Sequence, residues 1–269
     1  MALVAGLARG GDGMSSLSLQ ARIGALLRSL LLQAAWNFER LQNVGFAFCM
    51  EPALRELYRD PVERSAARRR HLELFNTHPY MAGYVLGAAL RAEEDVAVGR
   101  MSADEASAVK LGLAPALAAV GDSFFWATLR PAAAVMGVAW LWLAPHPLHL
   151  MAPLVYLGAY NLPGLWLRLH SLQAGYDKGP LVAAHVAGLR LPALTEGLRL
   201  SALAAIGGLA GSLARIADPQ TGAGVPLVDN FVFLGSGLAM LMLLRLSVRP
   251  TTLLGLSVLL TLILGLSLP

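Results

Sequence analysis

The stretch Val120-Gly121-Asp122-Ser123-Phe124-Phe125-Trp126-Ala127-Thr128-Leu129-Arg130-Pro131 decides how the rest of the chain is read. It sets an acid, two hydroxyls and an arginine inside a long apolar region. Gly112, Pro115 and Gly121 interrupt the apolar pattern just upstream. The expectation is a broken segment and then a new helix from Ser123, with Asp122 as its N-cap, accepting from the free amides of the first turn. A helix N-terminus behind an irregular segment at membrane depth is one way to build a site for a polar solute, because amides and dipole both face the solute. The alternative is that Asp122 only caps the helix.

Composition supports a membrane setting for that stretch. Of 269 residues, 56% are hydrophobic and 14% charged, where soluble domains carry roughly 25% charged residues. Mean hydropathy is +0.58. Ten of the 21 basic residues precede Phe75, and all but Lys110 and Lys178 are arginine. The front is thus a basic, interfacial or cytoplasmic part, with the anionic cytoplasmic leaflet as its counter-surface. The net charge of +4 does not point to nucleic acid, because the basic residues border apolar helices without aromatic interleaving. The single cysteine, Cys49, has no partner for an internal disulfide and reads as a small buried residue.

Three parts follow: residues 1–17 as a Gly-rich disordered tail, 18–108 as an N-terminal cytoplasmic or interfacial helical part, and 109–269 as the membrane part. Residues 18–50 read as helical, with Ser18 as a possible N-cap. There Gln33, Asn37 and Arg40 recur on one helix face beside Trp36. Glu39 and Arg40, adjacent on that helix, point about 100° apart and are expected to pair with other residues. Asp60-Pro61-Val62-Glu63 is a strong helix start, with a capping acid and proline at the first position. The helix after it carries Arg64, Arg68, Arg69, Arg70 and His71.

Phe75-Asn76-Thr77-His78-Pro79-Tyr80 breaks the pattern again, with Asn76 or Thr77 as cap for a helix from Met81 to about Arg91. Glu93-Glu94-Asp95 then sits at a helix C-terminus, where the macrodipole disfavours acids, so solvent or a basic partner is expected to relieve it, with the arginine run as a candidate. Residues 96–108 read as a polar loop. Beyond, 110–120 is broken, 124–144 is long enough to cross a bilayer, Pro145-His146-Pro147 turns, and 148–169 crosses back. Residues 171–197 are mixed. Spans follow at 198–216, 228–244 and 253–268. The fold class is therefore an all-α integral membrane protein with about five transmembrane helices plus broken or re-entrant segments and interfacial amphipathic helices. Basic loops place the N-terminus in the cytoplasm and the C-terminus outside.

The search for catalytic chemistry is mostly negative. No Walker loop and no His-Glu-x-x-His occurs. His71, Glu73 and His78 lie either side of a helix break, which argues against shared metal coordination. Ser123 has no base and orienting acid at a telling spacing. No cofactor is implied.

Long motifs carry a family resemblance. Ala35-Trp36-Asn37-Phe38-Glu39-Arg40-Leu41-Gln42-Asn43-Val44-Gly45-Phe46, Arg70-His71-Leu72-Glu73-Leu74-Phe75-Asn76-Thr77-His78-Pro79-Tyr80, the Glu93-Glu94 pair and the Gly121–Pro131 stretch resemble, in order, signatures of the IID component of mannose/fructose/sorbose-type phosphotransferase systems. Gly175-Tyr176 and Leu194-Thr195-Glu196-Gly197 are similar to family positions too. The resemblance implies an inner-membrane subunit that pairs with IIC and translocates a hexose. The sugar is phosphorylated on entry by soluble IIB, which is charged by IIA. It implies no phosphorylated residue in this chain and no catalysis of its own. Asp122, Asn76, Asn37, Glu39 and Trp126 have the chemistry a hexose needs and sit in the motifs. Trp36, Arg40, Thr77, His78, Pro79, Glu93, Glu94, Gly121, Ser123, Arg130 and Pro131 are motif or structural positions. The other reading is a scaffold that orders IIC without touching sugar, with Trp36, Glu39 and Arg40 at the subunit interface. Ala114, Ala118, Ala119 and Ala127 stand where the family often has glycine, and residues 211–230 look short.

Overall fold

The computed structural model describes residues 17–214, with side chains through residue 207. Helices follow one another as α1 (Leu19–Ser29), α2 (Asn43–Leu57), α3 (Pro61–His71), α4 (Ala82–Ala97), α5 (Ala103–Gly121), a π-helical turn (Asp122–Leu129), α6 (Arg130–Leu143), α7 (Ala152–Lys178), α8 (Val182–Gly188) and α9 (Leu191–Ala214). Short 3-10 turns at Leu148–Met151 and Gly179–Leu181 precede α7 and α8. The chain divides into two compact units, Met1–Leu203 and Ala204–Pro269. The second enters the description only through the end of α9. The expected tail up to residue 16, the spans 228–244 and 253–268, the loop 217–229 and the C-terminus lie outside the described residues.

Local signals set the first helices. The Ser18 hydroxyl accepts from the Ala21 amide at 3.1 Å and starts α1. Residues 18–50 are nevertheless not one helix: α1 ends at Ser29, and turns run to Gln42. Leu41 takes the left-handed conformation, φ 59°, which a branched side chain rarely adopts and which no helix accepts. The expected Gln33–Asn37–Arg40 face is therefore absent. Asn37 instead pairs with Leu41 in an isolated antiparallel bridge. With no helix to hold them apart, Glu39 and Arg40 pair with each other at 3.2 Å, against expectation. Beyond the turn the chain folds back. A Cβ on Gly24 would lie 3.2 Å from Pro52, and one on Gly45 would strike the Leu32 carbonyl oxygen. These contacts make α1 and α2 an antiparallel hairpin.

The second pair begins as expected. Asp60 accepts from the Val62 and Glu63 amides, and Pro61 opens α3. Neither Asn76 nor Thr77 caps α4. The His78 carbonyl accepts from Met81 and Ala82, while the His78 imidazole Nδ1 accepts from the Tyr80 amide at 3.2 Å. α4 is buried along most of its length. It packs on α7 backbone to backbone: a Cβ on Gly87 would lie 2.1 Å from the Leu172 oxygen, and one on Gly175 2.3 Å from the Tyr84 oxygen. Cys49 is fully buried, and burial pushes its thiol up to about 12.

The expected loop through 108 ends at Ser102. Ser102 and Glu105 form a reciprocal capping box that starts α5 at once. The expected break at 112–122 is also absent. Gly112 and Pro115 are accommodated, and α5, the π turn and α6 form one rod, Ala103–Leu143, of 41 residues. Asp122 lies inside it with φ -63° and ψ -43° and caps nothing. The rod is roughly 60 Å long at the α-helical rise. Among the described residues it is the one helix long and apolar enough to cross a membrane. After Pro145-His146-Pro147, which turns as expected, α7 returns along α6. Trp140 donates to the Leu148 carbonyl at 2.9 Å, and Gly137 faces Tyr156. α7 runs past residue 169 to Lys178 and stops where Gly179 takes φ 51°.

Candidate functional site

The loop 30–42 between α1 and α2 and the loop 72–81 between α3 and α4, the first and second tips, are stitched together. Leu41 and Phe75 form a parallel bridge, with the Gln42 amide donating to the Phe75 carbonyl at 2.9 Å. The buried Gln42 side chain donates to the Thr77 carbonyl at 3.0 Å and accepts from the Thr77 amide at 3.1 Å. Asn43 donates to the Leu72 carbonyl at 2.7 Å and accepts from Asn37 at 2.8 Å. Asn37 in turn accepts from the Arg40 amide at 2.8 Å. Two non-helical loops thus satisfy each other's backbone groups, as buried irregular chain must.

The second tip leans on the rod. A Cβ on Gly121 would lie 2.4 Å from the His78 Cβ, so glycine is needed here for contact and not to break a helix. His78, 1% exposed, stacks on Phe125 at 5.0 Å and meets Trp126 edge-on at 4.8 Å. Because its Nδ1 accepts from Tyr80, the neutral ring carries its proton on Nε2, which finds no partner. Thr77 Oγ1 and Thr128 Oγ1 are buried and unpartnered as well. Tyr80 reaches Asn161 on α7 at 3.4 Å.

The sequence-derived candidates fall into two sets. Thr77, His78, Gly121 and Trp126 meet where the second tip touches the rod. Asn37, Glu39 and Arg40 belong to the first tip, with Glu39 exposed and Trp36 beside Phe38 at 4.9 Å on the surface. Asn76 is exposed on the second tip, next to half-buried Pro79. Asp122 is half-buried, while Ser123 and Arg130 are exposed on the rod and Pro131 sits in the first turn of α6. Gln42, Asn43 and Tyr80 were not singled out, although all three lie within the quoted motifs. Buried amides beside a chain reversal were the available signal.

Behind the tips lies an ionic cluster. Glu93 is fully buried and accepts from Arg70 twice, at 2.6 and 2.5 Å, from Tyr58 at 2.8 Å and from His71 at 2.8 Å. Burial opposes its ionisation, but the His71 and Arg70 hydrogen bonds and the Arg70 charge prevail and hold the carboxyl down at about 2. Burial lowers the His71 imidazole, with the Glu93 bond opposing. The neutral ring therefore donates from Nε2. Buried Lys110 donates to the Arg70 carbonyl and to Glu73 at 3.3 Å. Glu94 faces the other way and accepts from the Leu17 amide and the Tyr176 hydroxyl, each at 2.7 Å. Arg70 of the arginine run thus relieves Glu93, while Glu94 is met by the Leu17 amide, the Tyr176 hydroxyl and Arg91 at 3.5 Å.

Among the described residues, fold and site define a helical protein in which two polar interhelical loops meet beside a rod of membrane-spanning length. Residues 16–267 match the model of the PTS system mannose/fructose/sorbose family IID component. This chain belongs to that family. It is 42% identical over 188 residues to the mannose-specific EIID component of Escherichia coli K12, covering 69% of this chain and 65% of that one. It is 35% identical over 209 residues to the sorbose-specific EIID component of Klebsiella pneumoniae, covering 77% and 75%. The chain thus spans just under two thirds of the Escherichia coli relative it matches. The solved complex of the mannose transporter ManYZ with microcin E492 contains a similar chain, with TM-score 0.57, 34% identity and coverage of 94% and 98%. A second structure, of a membrane protein, gives TM-score 0.67, 32% identity and the same coverage.

Proposed function

We propose that this chain pairs with a IIC subunit in the bacterial inner membrane and translocates a hexose that soluble IIB, charged by IIA, phosphorylates as it enters. The N-terminus is cytoplasmic and the C-terminus extracytoplasmic. Residues 18–108 form the interfacial helical part and 109–269 the membrane part, assembled as IIC–IID pairs. Asn76, Asn37, Glu39, Asp122 and Trp126 offer the amides, carboxylates and aromatic face that suit a sugar. One observation carries this reading. The stitched tips bring motif residues 37–43 and 72–80 together and set His78 against the rod at Gly121 and Trp126.

The test is co-purification with IIC in detergent, followed by binding of labelled mannose, glucose, fructose and sorbose to the pair and to this chain alone. Binding of one hexose by the pair, lost in Asn76→Ala or Asp122→Asn while the pair still assembles, supports the pathway role. Unchanged binding in both variants assigns the chain the scaffold role.

A further inference from the structure

Arg130 stands out on the rod. Between Leu111 and Leu143 the rod carries two charged side chains, Asp122 and Arg130. Arg130 is exposed, and no ion pair reaches it among the described residues. Trp126, Trp140 and Trp142, 48%, 40% and 42% exposed, are the tryptophans of this rod, a residue type that favours membrane interfaces. Arg130 lies between Trp126 and the other two, about 15–18 Å along the axis from Trp140 and Trp142, within the stretch 124–144 expected to cross a hydrocarbon core about 30 Å thick. An arginine inside the hydrocarbon is costly, and it faces protein or water and a counter-charge. Tyr160 of α7 sits in its field but is no anion. Ala127 and Ala134, three before and four after Arg130, are exposed on either side of it, so another helix can approach the backbone closely there.

We propose that this face of the rod is the docking surface for a membrane helix of the IIC partner, which supplies an aspartate or glutamate to Arg130. The inference rests on the pairing proposed above and adds the face and the chemistry of the contact. The counter-charge is a carboxylate on a protein, because the exposed alanines flanking Arg130 admit a helix backbone, and lipid in its place is an outcome of the test.

The test uses full-length chain co-expressed with IIC. A photo-cross-linking phenylalanine analogue goes at Ala127 and at Ala134, with exposed Val62 on α3 as control. Arg130→Gln and Arg130→Lys are purified in parallel. Cross-links from 127 and 134 to IIC, absent from 62, are expected. Recovery of the pair should fall by about tenfold or more in Arg130→Gln and be partly restored in Arg130→Lys. Cross-links to a second copy of this chain or to lipid alone, or undiminished pairing in Arg130→Gln, would overturn the proposal. A wild-type chain that never co-purifies with IIC refutes the pairing itself, a result distinct from pairing that ignores Arg130. The cross-linking arm keeps the Arg130→Gln result interpretable if that variant folds poorly.

Discussion

The Glu93 cluster and the contact of the second tip with the rod are both polar and both buried, yet they are built on opposite principles. Around Glu93 both carboxylate oxygens are saturated, and the one buried nitrogen without a partner is His71 Nδ1. At the tip–rod contact, Thr77 Oγ1, His78 Nε2 and Thr128 Oγ1 are buried without partners, while Asn76 and Trp126 face outward. A saturated network locks one arrangement of helices. Unpaired groups lower the stability of the arrangement they sit in and mark the region that can rearrange or take a ligand. The contrast divides holding from working.

The largest effect should come from breaking the saturated side. Glu93→Ala leaves half-buried Arg70 without its carboxylate, and removing one partner of a buried pair costs about 3–5 kcal/mol. Thermal unfolding in detergent should show it, and an unshifted midpoint would refute the locking role. Next come the tips. Gln42→Ala strands the Thr77 amide and carbonyl, at about 1–3 kcal/mol, and Gly121→Val drives a side chain into His78, at about 1–3 kcal/mol. Both are read in the same melt.

Acid should act on the saturated side first. His71 is held below its ordinary value and Glu93 well below its own. In each case the unfolded chain binds protons that the folded one does not. Stability is then full above the ordinary histidine value. It falls as the pH drops below about 6.5, and falls further between about 4.3 and 2. His71→Gln should remove the first part of that decline, and a melting profile flat from neutral pH to 5 would contradict the assignment. The smallest effect is at the exposed side of the tips. Asn76→Ala should change stability by no more than about 0.5 kcal/mol, so any loss of sugar binding in that variant reports on the site.

What was legible in the sequence was what is local. Ser18 and Asp60 announce their helices because cap and capped amides are neighbours, and Pro145–Pro147 announces its turn. The motifs identified the family and thereby the regions that form the tips. What stayed hidden depends on distant partners. Gly121 reads as a breaker until His78, from the loop before α4, is seen pressed against it. Leu41 carries no sign of its left-handed backbone, which the bridge to Phe75 accompanies. That one misreading turned residues 30–42 into a helix and separated Glu39 from Arg40. The Ser102–Glu105 box was readable and was passed over because the small polar residues around it look like loop.

The π turn at Asp122–Leu129 has a consequence of its own. Wide turns take up more residues for the same rotation than α-helical ones do. The rod therefore holds slack at the place where it meets the second tip. A residue lost or gained there can be absorbed by narrowing or widening the turn, while the faces of α5 and α6 on either side keep their neighbours. What changes is the aim of Trp126. The rod can thus be retuned in length at its polar centre without being repacked at its ends.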